Sequence, residues 1–69
     1  MTVMDLLKQL NSERLDAAAS KWLNGVEVIE LESRGEFDEA REYRRKHDES
    51  RDKENLLKIV IGEIEKRVF

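Results

Sequence analysis

The sequence contains no cysteine, and His47 is its single histidine among 69 residues. Disulfide bonds are therefore excluded, and one histidine cannot supply the four ligands that a structural zinc ion usually takes. A chain this short buries only about 60% of the surface that its unfolded form exposes, so its stability is marginal without further support. Oligomerisation or a binding partner is the kind of support that these absences leave.

Proline is also absent, and only three glycines interrupt a chain in which 42% of the residues are charged. Such a composition, rich in Glu, Lys, Arg and Leu, favours long helices. Acids and bases nearly balance, with a net charge of −3, so the chain is not a strongly basic nucleic-acid-binding protein. The same net charge is too low for a tail that is disordered by charge repulsion. The first residues lack the pattern of a signal peptide, and no apolar run approaches the roughly 18 residues of a membrane span, so we expect a cytoplasmic protein.

The spacing of apolar residues predicts a first helical arm over about residues 2–33. Thr2 and Asp5 have the spacing of a capping box, which favours a helix start at this point. After Asn11-Ser12 the apolar positions change phase: the first set is Val3, Leu6, Leu7 and Leu10, and the second is Leu15, Ala18, Ala19, Trp22, Val26 and Ile29. The helix either continues with its packing seam rotated, which we favour, or breaks so that Ser12 caps a second helix.

Asn24-Gly25 is an alternative turn, because Asn-Gly pairs often connect strands and a β-branched segment follows. We favour a helix here, since Trp22, Val26 and Ile29 then share one face. A glycine inside a helix costs only roughly 1 kcal/mol relative to alanine, which a long helix tolerates.

The turn between the two arms is predicted at residues 34–35, where Gly35 suits the left-handed conformation that ends many helices. Glu36, Asp38 and Glu39 follow in the first turn of the next helix, where the helix dipole favours negative charge. We expect Phe37 to fold under the turn and to pack between the arms. Residues 35–43 resemble the inter-helix turn of tetratricopeptide repeats, but no 34-residue repeat exists, so the resemblance implies a turn and no peptide-binding function.

The second arm is predicted over about residues 36–68, as no residue in this range stops a helix. The arms would be about 48 and about 50 Å long, and a short connection makes neighbouring helices antiparallel. The sequence therefore predicts one all-α domain over residues 1–69, a coiled-coil-like antiparallel helical hairpin, with a separate short N-terminal helix as the variant if the chain breaks at Ser12.

Apolar residues are concentrated at the open end of this hairpin, where the two chain termini meet. The run from Leu56 to Ile61 covers most of the circumference of its helix, and a helix that is apolar all round is normally buried all round. We therefore predict a homodimer or higher oligomer of four-helix-bundle type. The predicted interface consists of Leu6, Leu7, Leu10, Leu56, Leu57, Val60, Ile61, Ile64 and Val68. The alternative is a short first helix that folds back and covers this surplus within one chain.

Catalytic and cofactor motifs are missing, so we expect a non-enzymatic protein without cofactor or metal. Glu-x-x-His metal spacing would need an acid at position 44, which is Arg44, and no phosphate-binding glycine loop occurs. The hypothesis is a protein–protein interaction module of regulator, adaptor or inhibitor type, in which Trp22, Phe37 and Tyr43 are packing anchors.

Two alternative functions follow from the distribution of charge. The basic stretch 41–53 could contact nucleic acid, as helical faces do in Rop-type hairpin dimers, through Arg41, Arg44, Arg45 and Lys46. Interleaved acids such as Glu42 and Asp48 oppose this function. Residues 27–42 carry seven acids and two bases, and such a segment could imitate a phosphate backbone, as in a phage-type acidic inhibitor. Acids at a helix start are also ordinary capping residues, and the net charge of the chain is low, which opposes this function.

Overall fold

The computed structural model describes all residues from Met1 to Phe69 and contains two helices that pack against each other. Helix α1 spans Val3–Ser33 and helix α2 spans Phe37–Val68. The molecule measures 50 × 15 × 14 Å, the shape of a rod two helices wide. The predicted all-α hairpin is confirmed, and each helix begins within one residue of its predicted start.

The ends of α1 are fixed by the local chemistry expected of them. The Thr2 hydroxyl accepts from the Asp5 amide, and the Asp5 carboxylate accepts from the Thr2 amide, each at 3.1 Å, which completes the capping box. At the other end, Gly35 has a φ of +76°. Its amide donates to the Glu32 carbonyl, and the Glu36 amide donates to the Leu31 carbonyl. This pair of bonds is the Schellman motif, which reverses the chain.

The seam between the helices follows an alternating three- and four-residue spacing, as in a coiled coil. On α1 the seam residues are Leu7, Leu10, Arg14, Ala17, Lys21, Asn24, Val28 and Leu31, and all are buried or half-buried. On α2 they are Ala40, Tyr43, His47, Ser50, Glu54, Leu57, Ile61 and Ile64, again buried or half-buried. Apolar residues thus close both ends of the seam, and polar or small residues fill its middle.

The middle of the seam is held by an ion pair rather than by apolar packing. Lys21 Nζ lies 3.0 Å from Glu54 Oε1, and Lys58 Nζ approaches the same oxygen at 3.5 Å. The Glu54 side chain is only 6% exposed, whereas that of Lys21 is 31% exposed. The hydrogen bond from Lys21 holds the pKa of the Glu54 carboxyl below its ordinary value despite this burial. On the turn side of this pair, the His47 ring lies 3.4 Å from where a Cβ on Gly25 would stand, which is an ordinary van der Waals distance.

The continuity predicted for α1 is confirmed, because the helix runs through both Asn11-Ser12 and Asn24-Gly25. The rotated seam is wrong. Leu15, Trp22 and Ile29 are 60–70% exposed, because the seam stays in phase with Leu7 and Leu10 and continues through Arg14 and Lys21. The folded-back short helix is also wrong, since residues 3–33 form one helix.

Two of the three predicted packing anchors are not packed. Trp22 is 70% exposed and Phe37 is 62% exposed, whereas Tyr43 is half-buried in the seam. The seam spacing explains Phe37: counting back from Ala40 and Tyr43, the next seam position is 36, so Phe37 begins α2 on its outer side. The prediction that Phe37 packs between the arms is therefore wrong.

Candidate functional site

An exposed apolar face of α1 points away from α2 and is not covered by the rest of the chain. We call this face the outer stripe and define it as Leu15, Ala19, Trp22, Val26 and Ile29. Trp22 and Ile29 are each 70% exposed, Leu15 is 60% exposed and Val26 is 37% exposed. Beside it, Leu23 is 66% exposed. Single exposed apolar residues are ordinary on protein surfaces, but a contiguous row of them marks an interaction site.

The outer stripe is a second row of apolar residues on α1, three of which recur every seven positions, each one residue after a seam residue. Leu15, Trp22 and Ile29 each follow a seam residue directly, namely Arg14, Lys21 and Val28. One residue turns a helix by about 100°, so these side chains stand well away from α2. Ala19 and Val26 lie four residues after Leu15 and Trp22, respectively, about one helical turn further on, and therefore share the same face. The row is visible in the sequence, where its spacing predicted the seam instead of an exposed face.

Two open grooves connect the outer stripe to the neighbouring part of the hairpin. One groove of about 340 Å³ lies between Trp22, Val26 and Ile29 on α1 and His47 on α2. The other, of about 490 Å³, lies at the open end, where Leu15 and Met4 stand near Phe69. An apolar surface therefore runs from the termini toward the turn along one side of the rod. Neither groove is an enclosed cavity of the kind that buries a small ligand.

The predicted oligomer interface at the open end is divided between the seam and the surface. Leu7 and Ile61 are buried between the helices, and Leu10, Leu57 and Ile64 are half-buried there. Leu6, Leu56, Val60 and Val68 are exposed. Leu56, Ile59 and Val60 form a second apolar surface on the outer side of α2, which we call the open-end patch. It is shorter than the outer stripe and carries no aromatic residue.

The basic stretch of α2 is largely paired with acids of the same chain. Arg44 forms an ion pair with Glu32 across the helices, and Arg45 pairs with Glu42 and Glu49 along α2. The hydrogen bond from Arg45 lowers the pKa of the Glu42 carboxyl. Lys46 lies 4.8 Å from the centre of the Tyr43 ring. Of the four predicted nucleic-acid contacts, Arg41 and Lys46 are exposed and form no ion pair with an acid of this chain.

The acidic turn is partly neutralised in the same way. Glu36 accepts from Arg34 Nε at 3.0 Å, Glu32 pairs with Arg44, and Glu42 pairs with Arg45. Asp38 and Glu39 remain exposed in the first turn of α2, where their negative charge interacts favourably with the positive end of the helix dipole. This leaves a small acidic surface rather than a continuous row of charges like that of a phosphate backbone.

No group of three or more His, Asp or Glu side chains is arranged to hold a metal ion. The His47 ring nitrogen Nδ1 lies 3.1 Å from Asp48, so this histidine has an acidic partner but no second one. Neither helix is long and apolar enough to cross a membrane. No protein-family model matches the sequence, and no curated protein and no solved structure matches it significantly. The candidate site therefore depends on the geometry alone.

Proposed function

We propose that this chain is a small, non-catalytic protein–protein interaction module that acts as a regulator, adaptor or inhibitor and docks through the outer stripe of α1. The observation that supports the proposal is the exposure of Trp22 at the centre of an uninterrupted apolar row. Exposed tryptophan surrounded by aliphatic side chains is the composition of an interface hot spot. The fold does not need these residues, since the α2-facing seam is made by others.

The shape of the surface favours a helical partner. The outer stripe is a straight row on a helix, and rows of this spacing pack against another helix by ridges and grooves. The polar flanks, with Asp16 and Glu30 on one side, would form the solvated rim. Nucleic acid is the less favoured partner, because Arg44 and Arg45 are already paired with acids of this chain.

Self-association is part of the proposal, since both the outer stripe and the open-end patch leave apolar surface that one chain does not cover. A four-helix oligomer formed through the open end would use Leu56, Val60 and Val68, because Leu7 and Ile61 are already buried within the hairpin. The open end exposes further apolar residues, among them Met4 and Phe69, but the outer stripe is one straight row centred on the tryptophan, so we place the main contact there.

Site-specific photo-crosslinking tests the docking surface. A benzoylphenylalanine residue replacing Ile29 should crosslink to protein partners in the producing cells, because this position lies within the contact. The matched control carries the same residue in place of Asp52, on the outer side of α2 and 72% exposed. Crosslinks from position 52 and none from position 29 would place the contact elsewhere and overturn the proposal.

A further inference from the structure

We propose that the outer stripe binds a second copy of this chain, with the two α1 helices antiparallel and a two-fold axis passing beside Trp22. This inference names the partner of the surface proposed above and therefore rests on it. It differs from the open-end dimer, in which the contacts lie at the termini.

In an antiparallel pair centred on Trp22, each residue of one α1 faces the residue of the other α1 that lies equally far from Trp22 on the opposite side. The side chains paired in this way fit each other. Leu15 and Ile29 both lie seven residues from Trp22, so each faces the other in an antiparallel pair. Ala18 and Val26 both lie four residues away, and Ala19 and Gly25 both lie three away. A small residue thus faces either a large or another small residue, which lets the helices approach. Contacts in which i meets j and j meets i are the requirement of a two-fold interface.

The charges that end the row are complementary in the same arrangement. Lys8 lies on α1 fourteen residues before Trp22, in phase with Leu15, and Glu36 lies beyond the end of α1, at the start of α2. The turn is at about the same distance from Trp22 as Lys8, because α1 ends eleven residues after Trp22. Lys8 of one copy would therefore reach the acidic turn of the other, where Glu36 is exposed. A parallel pair would instead place Lys8 beside Lys8 and lose this attraction. This attraction between Lys8 and the acidic turn favours the antiparallel register, whereas Asp16 and Glu30, which lie on one flank, oppose it.

The outer stripe would form the apolar centre of a dimer interface. Leu15, Trp22 and Ile29 are 60–70% exposed, and Val26 is 37% exposed. A specific interface needs about 1,000 Å² in total, or about 500 Å² from each copy, and this row with its polar rim supplies the contact. The adjoining side of α2 carries Arg44, Arg51 and Lys58, so the contact is made by α1 and the four helices lie in a row.

The first experiment uses the absence of cysteine. Trp22→Cys introduces the only thiol of the chain, and a two-fold axis beside position 22 brings the two thiols together. Mild copper-phenanthroline oxidation should give a covalent dimer of twice 8.1 kDa. The control is Ser20→Cys, which is exposed on a different side of α1 and should not form a covalent dimer under the same treatment. Equal crosslinking of both variants would overturn the proposed axis.

The second experiment measures mass by light scattering and the emission of Trp22, the only tryptophan, over a concentration series. Association should shift the emission to shorter wavelength as the mass doubles. Ile29→Glu should raise the dissociation constant at least about 100-fold, because the symmetry buries the new charge twice. Its helical circular dichroism should persist, since Ile29 does not contact α2 side chains in the seam. Val60→Glu, in the open-end patch, should leave the dimer intact.

A charge reversal tests the register. In the antiparallel pair, Asp16 lies on the same flank as Glu30 of the second copy, and these like charges oppose association. Asp16→Lys should tighten the dimer about 2- to 10-fold at low salt by forming an opposite pair. Asp52→Lys makes the same change of charge on the outer side of α2 and should have no such effect.

The outcomes separate this inference from the proposed function. A dimer that survives Ile29→Glu but dissociates with Val60→Glu would overturn the outer-stripe dimer in favour of the open end. A monomer at every concentration, with Trp22 emission unchanged, would also overturn it. The photo-crosslinking at position 29 would still decide whether the surface binds a different protein.

Discussion

Replacing Gly62 or Gly35 by alanine should change the stability of the fold in opposite directions. The two substitutions together test the second helix and the turn of the hairpin. Gly62 lies in the exposed part of α2, and a Cβ added there meets no atom within 4 Å. The substitution Gly62→Ala therefore changes only helix propensity and should stabilise the fold by about 0.5–1 kcal/mol. Gly35 also has nothing within 4 Å, but its φ of +76° is a left-handed conformation. Alanine there should destabilise the fold by roughly 1–2 kcal/mol.

These free energies are measurable in a protein of this size. For a domain of 60–100 residues, 1 kcal/mol shifts the Tm by about 4–8 °C. Thermal and urea unfolding followed by far-UV circular dichroism should thus show Gly62→Ala above the parent and Gly35→Ala below it. Gly35→Asn is the control for the turn, because asparagine tolerates the left-handed region better than alanine and should lose less stability. All variants are compared at one low concentration, so that association does not contribute.

The refuting results are specific. If Gly35→Ala is as stable as the parent, residue 35 is not left-handed and the Schellman turn is not formed. If Gly62→Ala is destabilising, position 62 is covered by other atoms and this side of α2 is not exposed. Gly25→Ala gives a third comparison, since its Cβ would stand 3.4 Å from His47 Cδ2, an ordinary contact. It should stabilise the fold at least as much as Gly62→Ala.

Three further predictions concern the seam and its coupling to association. Glu54→Gln should lower the Tm at neutral pH. Because the pKa of Glu54 is depressed in the folded state, the carboxylate stabilises the fold fully above its ordinary pKa of 4.5. This contribution is lost as the pH falls from there through the lowered pKa of the folded state, so the two melting curves should converge in acid. Replacing both Lys21 and Glu54 by leucine should raise the urea midpoint, whereas Lys21→Leu alone should lower it, because the acid then loses its nearest partner. The Tm of the parent should rise with protein concentration, and that of Ile29→Glu should not.

The ends of the helices could be predicted from the sequence because they depend on local chemistry. Thr2 with Asp5 forms a capping box whatever the rest of the chain does, and a glycine such as Gly35 between two helical patterns marks a turn. The lengths of the arms and their antiparallel order follow from these two points. None of these predictions requires knowledge of which residues face each other.

The choice between two faces of α1 could not be predicted in this way. In the middle of α1 the outer stripe is more apolar than the seam, which contains Arg14, Lys21 and Asn24 there. Hydrophobicity alone therefore selects the wrong face. The seam face packs on α2 because its apolar residues at both ends contact apolar residues of α2 in a single register. In the same register, the central Lys21 pairs with Glu54. Those conditions depend on the register of the whole helix pair, which no local pattern contains.

The polar middle of the seam and the apolar outer stripe occupy the same segment of α1, and this coincidence has a consequence for stability. Only six residues of the chain are buried, one of them Glu54, so the segment from Leu15 to Ile29 gains little from packing on α2. A second copy on the outer stripe would supply the missing burial where the hairpin is weakest. Amide hydrogen exchange should therefore slow with protein concentration most strongly between residues 15 and 29, and least near Leu7. Uniform slowing along α1 would show that association acts on the whole hairpin and that the outer stripe is not its centre.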